Sequence, residues 1–326
     1  MKRRDILWLA ASGFLTPICA RAEVSGPVPL VAILGSGSSQ GWAPLTSAFR
    51  LGLGDLGYRE GQNLVLSDRW ADGRYEQLPA LASELTALRP ALIAAFTTPA
   101  ALAAEKATRS IPIVFTTIGN PVELGLVSSL SRPSGNATGI TSLNVQIGSK
   151  RLELMHELLP AAKGFAFVVN PDNPTTERQV AEMLTAAHLL GVELHVLATH
   201  SEADFPGAFA KAKSLRVGGL VIGGDTLFSA NSDRLAQLAL QHALPAIYQG
   251  GTFAAAGGLM DYGGDFAEAC RLAGAYAGRI LKGEKPGDLP VQQATNVRLA
   301  LNLKTAKTLG VTVPVSLLGR ADDVIE

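Results

Sequence analysis

Cysteine is nearly absent from this sequence. Among 326 residues there are two, Cys19 and Cys270, too few for a disulfide framework or a cysteine-based zinc site. Charge is scarce as well: 17% of the residues are charged, 28 basic side chains match 28 acidic ones, and no run of Lys or Arg breaks the balance locally. Such a chain lacks the electrostatic footprint of a nucleic-acid binder, so no nucleic-acid partner is expected. The histidines, His156, His188, His195, His200 and His242, form no H-E-x-x-H pair or comparable spacing, and neither a metal nor another cofactor is expected.

Long apolar runs are missing too. The clearest, Ile6 to Cys19, is shorter than the roughly 20 residues of a membrane-spanning helix. Lys2, Arg3 and Arg4 precede it, and Ala20-Arg21-Ala22 follows it with a small-x-small pattern before Glu23. Residues 1–22 therefore read as a cleavable export signal, and the expected location is periplasmic. Arg3-Arg4 fits either the general secretory (Sec) or the twin-arginine route. Thr16-Pro17-Ile18 lacks the small residue that normally precedes a lipidated cysteine, so cleavage would leave Cys270 as the remaining cysteine.

What the chain does have is alternation. Short runs rich in Val, Ile, Leu and Phe alternate with longer amphipathic segments, the pattern of parallel strands covered by helices on both faces. Strands are expected at 29–34, 63–70, 91–96 and 111–116, with helices at 43–56, 75–88 and 99–107 between them. After the cluster Arg132-Pro133-Ser134-Gly135-Asn136 the pattern restarts, with strands at 164–170, 192–198, 219–222 and 246–248. The fold class is α/β, with two Rossmann-like lobes of parallel sheet. A further strand at 257–262, a helix at 265–281 and a strand at 297–303 imply that the chain returns between lobes. The expected division is 28–142 plus 253–287 for the N-terminal lobe and 143–252 plus 288–326 for the C-terminal lobe, with crossings near 142, 252 and 288.

Several blocks carry a family resemblance: Pro112-Ile-Val-Phe-Thr-Thr-Ile-Gly-Asn-Pro-Val, Gly135-Asn-Ala-Thr-Gly-Ile-Thr, Gly257-Gly-Leu-Met-Asp-Tyr-Gly and Leu289-Pro-Val. Asn302-Leu-Lys-Thr-Ala-Lys-Thr-Leu-Gly and Leu318-Gly-Arg-Ala-Asp-Asp-Val-Ile-Glu extend it to the C-terminus. From about residue 28 onward the chain resembles the substrate-binding proteins of ABC transporters, a family that includes tryptophan- and tyrosine-type binders. The resemblance implies a type I periplasmic binding protein fold with a three-crossover hinge. It further implies capture of a small molecule outside the cytoplasm and delivery to a membrane permease driven by a separate ATPase. Catalysis is not implied. Gly264 stands where relatives often carry Pro, a departure that bears on the ligand more than on the fold.

Ligands of open parallel sheets sit beyond the carboxyl ends of the strands, where helix N-termini present unpaired N–H groups. That rule selects Thr97 and Thr98 after one strand, and Thr116 and Thr117 after the next, as hydroxyl and N–H donors for a ligand carboxylate. In the second lobe it selects Asn170 and Asp225, the latter as a carboxylate for a ligand ammonium group. The alternatives are a helix N-cap at Asp225 and a local Asx turn at Asn170. Gln249 and Tyr262 lie near the expected hinge, and Ser36 and Ser38 lie in a polar lip after the first strand. The expected ligand is a small carboxylate or amino-acid-like molecule held between the lobes.

Two motifs point elsewhere. Gly35-Ser-Gly-Ser-Ser-Gln begins like a dinucleotide fingerprint but ends in Gln40 where Gly or Ala must pack. Gly37-Ser38-Ser39-Gln40-Gly41 matches the nucleophile elbow of α/β-hydrolases, yet it follows the first strand and no late histidine completes a triad. An exported hydrolase is the remote alternative. A ligand-sensing module for a membrane receptor is the nearer one, since its pocket would be the same.

Overall fold

The computed structural model describes residues 27–142, 144–250 and 252–326; the expected export signal, residues 1–22, lies outside them. The chain begins β1 (Leu30–Gly35), α1 (Ala43–Asp55), β2 (Val65–Trp70), α2 (Leu78–Ala87), β3 (Leu92–Phe96), α3 (Thr98–Ala107), β4 (Ile113–Thr117) and β5 (Ala137–Thr141). It continues α4 (Gly148–Leu158), β6 (Gly164–Val169), α5 (Thr176–Leu190), β7 (Glu193–Ala198), α6 (Phe205–Ser214), β8 (Gly219–Ile222), α7 (Thr226–Ala230), α8 (Ser232–Gln241) and β9 (Ala246–Tyr248). The last stretch is β10 (Met260–Gly264), α9 (Phe266–Leu281), β11 (Gln292–Gln293), β12 (Val297–Asn302), α10 (Leu303–Thr308), α11 (Val315–Leu318) and β13 (Asp323–Ile325).

Two sheets result. The first runs β11-β5-β4-β3-β1-β2 and the second β13-β12-β10-β9-β8-β6-β7. All pairings are parallel except β10 with β12. Central strands such as β1 and β3 are apolar along their length, and β4 is buried throughout, because helices bury both faces. The edge strands β2 and β7 mix polar with apolar residues, and charges such as Asp68, Arg69 and Glu193 blunt exposed edges. Helices begin on Pro within the first turn at α1, α2, α3 and α6, where the missing N–H costs nothing.

The expected boundaries at 253 and 288 are corrected by the sheet pairing. Met260–Gly264 is a strand of the second sheet, parallel to β9, so the glycine-rich stretch 249–258 is a loop inside that lobe. The chain crosses back only after Gly264, when α9 packs on α1. Gln292–Gln293 pairs with β5 in the first sheet, which moves the last crossing beyond residue 293. The α1–α9 contact is backbone-close. A Cβ on Gly52 would lie 1.9 Å from the Arg271 carbonyl oxygen, and one on Gly274 would lie 2.1 Å from that of Phe49.

The three crossings lie side by side. Asn144 Oδ1 accepts the Gly264 N–H (3.0 Å), the Ala294 N–H donates to the Thr141 carbonyl (2.8 Å), and the Asp265 N–H donates to that of Asn296 (3.1 Å). Arg151, buried on α4, clamps two of them by donating to the carbonyls of Asn144 (2.8 Å) and Tyr262 (3.1 Å). Burial lowers the pKa of its guanidinium to about 10.

Candidate functional site

Between the lobes lies a cavity of about 490 Å³, reached by the carboxyl ends of strands from both sheets. Of the residues singled out from the sequence, Ser38, Thr97, Thr98, Thr116, Thr117, Asp225 and Gln249 line it. Ser36, Asn170 and Tyr262 do not.

On the first lobe, Thr97 joins β3 to α3 at φ +91°, a conformation a β-branched residue adopts at a cost of about 1–3 kcal/mol. The strain is held by neighbours. Its N–H donates to the Thr116 carbonyl (3.1 Å), and its hydroxyl shares a hydrogen bond with Ser36 Oγ (2.7 Å). Ser36 is fully buried and also meets Thr226 Oγ1 (3.1 Å) of the second lobe, so it bridges the lobes rather than lining the cavity. Thr98 Oγ1 accepts the Ile118 N–H (3.5 Å), and the Thr117 hydroxyl donates to the Gly119 carbonyl. The Ser38 hydroxyl accepts the Gly41 N–H, a local turn bond.

An aromatic wall stands beside these hydroxyls. Trp42, immediately before α1, lines the cavity and stacks on Phe96 with ring centroids 6.0 Å apart and planes 12° apart. Phe49 meets Phe96 edge-on, Trp70 leans against both Trp42 and Phe96, and Phe266 adds an apolar surface from the start of α9. Trp42 was legible in principle: it is one of three tryptophans and sits on the loop after the first strand.

On the second lobe, Asp225 caps α7. Its Oδ1 accepts the Leu227 N–H (2.8 Å) and Asn170 Nδ2 (3.1 Å), while Oδ2 accepts Asn173 Nδ2 (2.6 Å) and the Tyr75 hydroxyl (2.8 Å) from the opposite lobe. Burial raises its pKa despite these bonds. Tyr75 also touches Thr226 Oγ1, and its own pKa is raised by burial and by Asp225. Asn170, which also forms the Asx turn onto the Asp172 N–H, supports Asp225 from behind. Asn173 and Thr226 line the cavity and were not foreseen.

Two further side chains differ from Asp225. Gln249 is 4% exposed and its Oε1 has no hydrogen-bond partner; Asp261 is 1% exposed and its Oδ1 has none. Asp261 Oδ2 accepts the Ala254 N–H (2.8 Å), and burial pushes the carboxyl pKa up to about 8. Successive strand residues face opposite sides, so Met260 and Tyr262 pack into the core over α4 while Asp261 and Gly263 line the cavity. That alternation corrects Tyr262 as a site residue.

Among the described residues no group of His, Cys, Asp or Glu is placed to hold a metal ion, and no helix is long and apolar enough to cross a membrane.

The family described as ABC transporter substrate binding protein matches residues 31–325. A tyrosine-binding protein of Clostridioides difficile (strain R20291) is 29% identical over 257 residues, 79% of this chain and 74% of the relative. A conserved domain protein from Vibrio cholerae superposes with a TM-score of 0.85 at 26% identity, covering 91% of this chain and all of the other. An ABC domain in complex with L-Trp from Streptococcus pneumonia superposes with a TM-score of 0.83 at 22% identity, covering 92% of this chain and all of that one. The two-lobed architecture is that of type I periplasmic binding proteins. The matching family is one of substrate-binding proteins, and a further structural neighbour, from Thermotoga lettingae, is a 5-methylthioribose transporter solute binding protein.

Proposed function

Because the chain belongs to the ABC transporter substrate-binding protein family, we propose that it is the extracytoplasmic solute-binding component of an importer and that its interlobe cleft captures a small amino-acid-like ligand. The observation that carries this reading is the composition of the cavity. One wall is aromatic, with Trp42 and Phe266; the first lobe adds hydroxyls and the α3 N-terminus, and the second adds buried carboxylate and amide groups. A volume of about 490 Å³ falls within the roughly 300–1,000 Å³ usual for small-molecule sites. The α3 N-terminus with Thr97 and Thr98 suits a carboxylate, and the aromatic wall suits a ring. The tyrosine-binding relative supports the same ligand class.

In this reading the lobes close on ligand about the three crossings, and the closed form docks on a permease whose partner is a separate ATPase. Residues 1–22 direct export by the Sec or twin-arginine route and leave Glu23 at the N-terminus, which mass spectrometry of the periplasmic protein reads directly. Thermal-shift screening against amino acids and small carboxylates tests the ligand class. A ligand at 100 times its Kd adds about 2.7 kcal/mol to stability. If no amino acid shifts the melting temperature, the proposal fails.

A further inference from the structure

The cleft holds two buried carboxylates, and hydrogen-bond accounting separates them. Asp225 accepts four hydrogen bonds, which uses both oxygens twice. Asp261 has its Oδ2 on the Ala254 N–H, while its Oδ1 is buried, lines the cavity and has no partner. No salt bridge to Asp261 exists among the described residues. Arg151, a cation whose charge influences Asp261, donates instead to the carbonyls of Asn144 and Tyr262. Arg298, which also lines the cavity, pairs with Asp323 at 3.2 Å.

A buried carboxylate with an unpaired oxygen is costly unless something cationic or hydrogen-bonding completes it. Gln249 carries a second buried, unpartnered acceptor in the same cavity. It sits one residue beyond Tyr248, the strand position directly beside Asp261. These two open acceptors in one cavity complement an ammonium group, which has three N–H donors and no acceptor.

We propose that Asp261, with Gln249 beside it, takes the ammonium group of the ligand, and that Asp225 is a positioning residue that fixes α7 and the lobe contact. This deepens the amino-acid reading of the cleft and rests on it for the ligand's other end. The carboxylate of the same ligand then falls to the α3 N-terminus across the cavity, so the two lobes divide a zwitterion between them. Asp261 thereby becomes the residue that rejects amine-free acids.

The test uses three probes, L-tyrosine, tyramine and 3-(4-hydroxyphenyl)propanoate, together with their indole counterparts, titrated by calorimetry. Wild type is expected to bind the amino acid at least a hundredfold more tightly than the amine-free acid. Asp261→Asn, which keeps an acceptor for the Ala254 N–H, is expected to narrow that ratio below tenfold. Gln249→Met, which leaves the Asp261 loop untouched, narrows it partially and serves if Asp261→Asn does not fold. Asp225→Asn is expected to weaken both probes in proportion. An unchanged ratio in both Asp261→Asn and Gln249→Met overturns the inference while the amino-acid reading stands. Binding of the amine alone, lost in Asp261→Asn, supports the inference and overturns the amino-acid reading. If no amine-bearing probe binds wild type, both fall.

Discussion

Asp225 and Asp261 are both nearly inaccessible, both line one cavity and both have their pKa raised by burial. Their surroundings nevertheless assign them opposite tasks. Asp225 is the centre of a closed network that joins α7, the Asn170–Asn173 turn and Tyr75 of the other lobe. Asp261 is tied on one oxygen and open on the other. Burial and a shifted pKa alone do not mark a ligand-binding group; the unmade hydrogen bond does.

The strongest way to break this comparison is pH. The Asp261 carboxyl titrates at about 8 when folded and near 3.9 when unfolded, so between those values the native state holds a proton that the unfolded chain has lost. Stability of the ligand-free protein therefore falls as pH rises through that window and levels off above it, by up to about 1.4 kcal/mol per pH unit. Denaturant melts of wild type and Asp261→Asn from pH 5 to 9 should diverge steadily, with the variant the more stable at high pH. Parallel curves would place Asp261 in a more solvated setting than its burial implies.

Next in size is Asp225→Ala. It strands Asn170, Asn173, Tyr75 and the Leu227 N–H without their acceptor, and a loss of about 3 kcal/mol in urea unfolding is expected. A loss below 1 kcal/mol would mean that the network is dispensable and would dissolve the contrast with Asp261.

Tyr75→Phe removes the hydroxyl that reaches Asp225 and Thr226 across the cleft. About 1 kcal/mol of closed-state stability goes with it, seen in stopped-flow as roughly fivefold faster release of bound ligand. The smallest effect on stability is expected for Gly224→Ala. Its Cβ would sit 2.5 Å from Gln249 Oε1, at the movable end of a side chain. Melting should change by less than about 1 kcal/mol. Affinity for an amine-bearing ligand should still drop, because Gln249 is turned away.

Much of this cleft was legible before the structure. Thr97, Thr98, Thr116 and Thr117 followed from the rule that parallel strands deliver ligand groups at their carboxyl ends, and so did Asp225, while Gln249 was singled out by its place near the expected hinge. Asp261 did not, for two physical reasons. It sits within a strand rather than beyond one, where the rule does not look. It also lies in 253–287, which the glycine-rich stretch seemed to assign to the first lobe, whereas β9 and β10 pair side by side in the second. Short strands such as Gln292–Gln293 and Asp323–Ile325 carry too few apolar residues to announce themselves; pairing, not pattern, defines them. The bond of Ser36 to Thr226 depends on which loops meet across the cleft, and that of Asn170 to Asp225 on which strands lie side by side, long-range facts that local spacing does not contain.

The late return of α9 and β11 to the first sheet sets the order in which the molecule can be completed. The first lobe starts at Leu30, but the helix that packs against Gly52 and the strand that covers β5 arrive only with residues 266–293. At ordinary synthesis rates the ribosome needs roughly 8 to 30 seconds to get from residue 142 to residue 293. Throughout that interval one face of α1 and one edge of β5 lack their partners, so the half that emerges first cannot be completed until most of the second has been made, and the second in turn waits for β12 and β13. The chain stays unlocked until nearly all of it has been made.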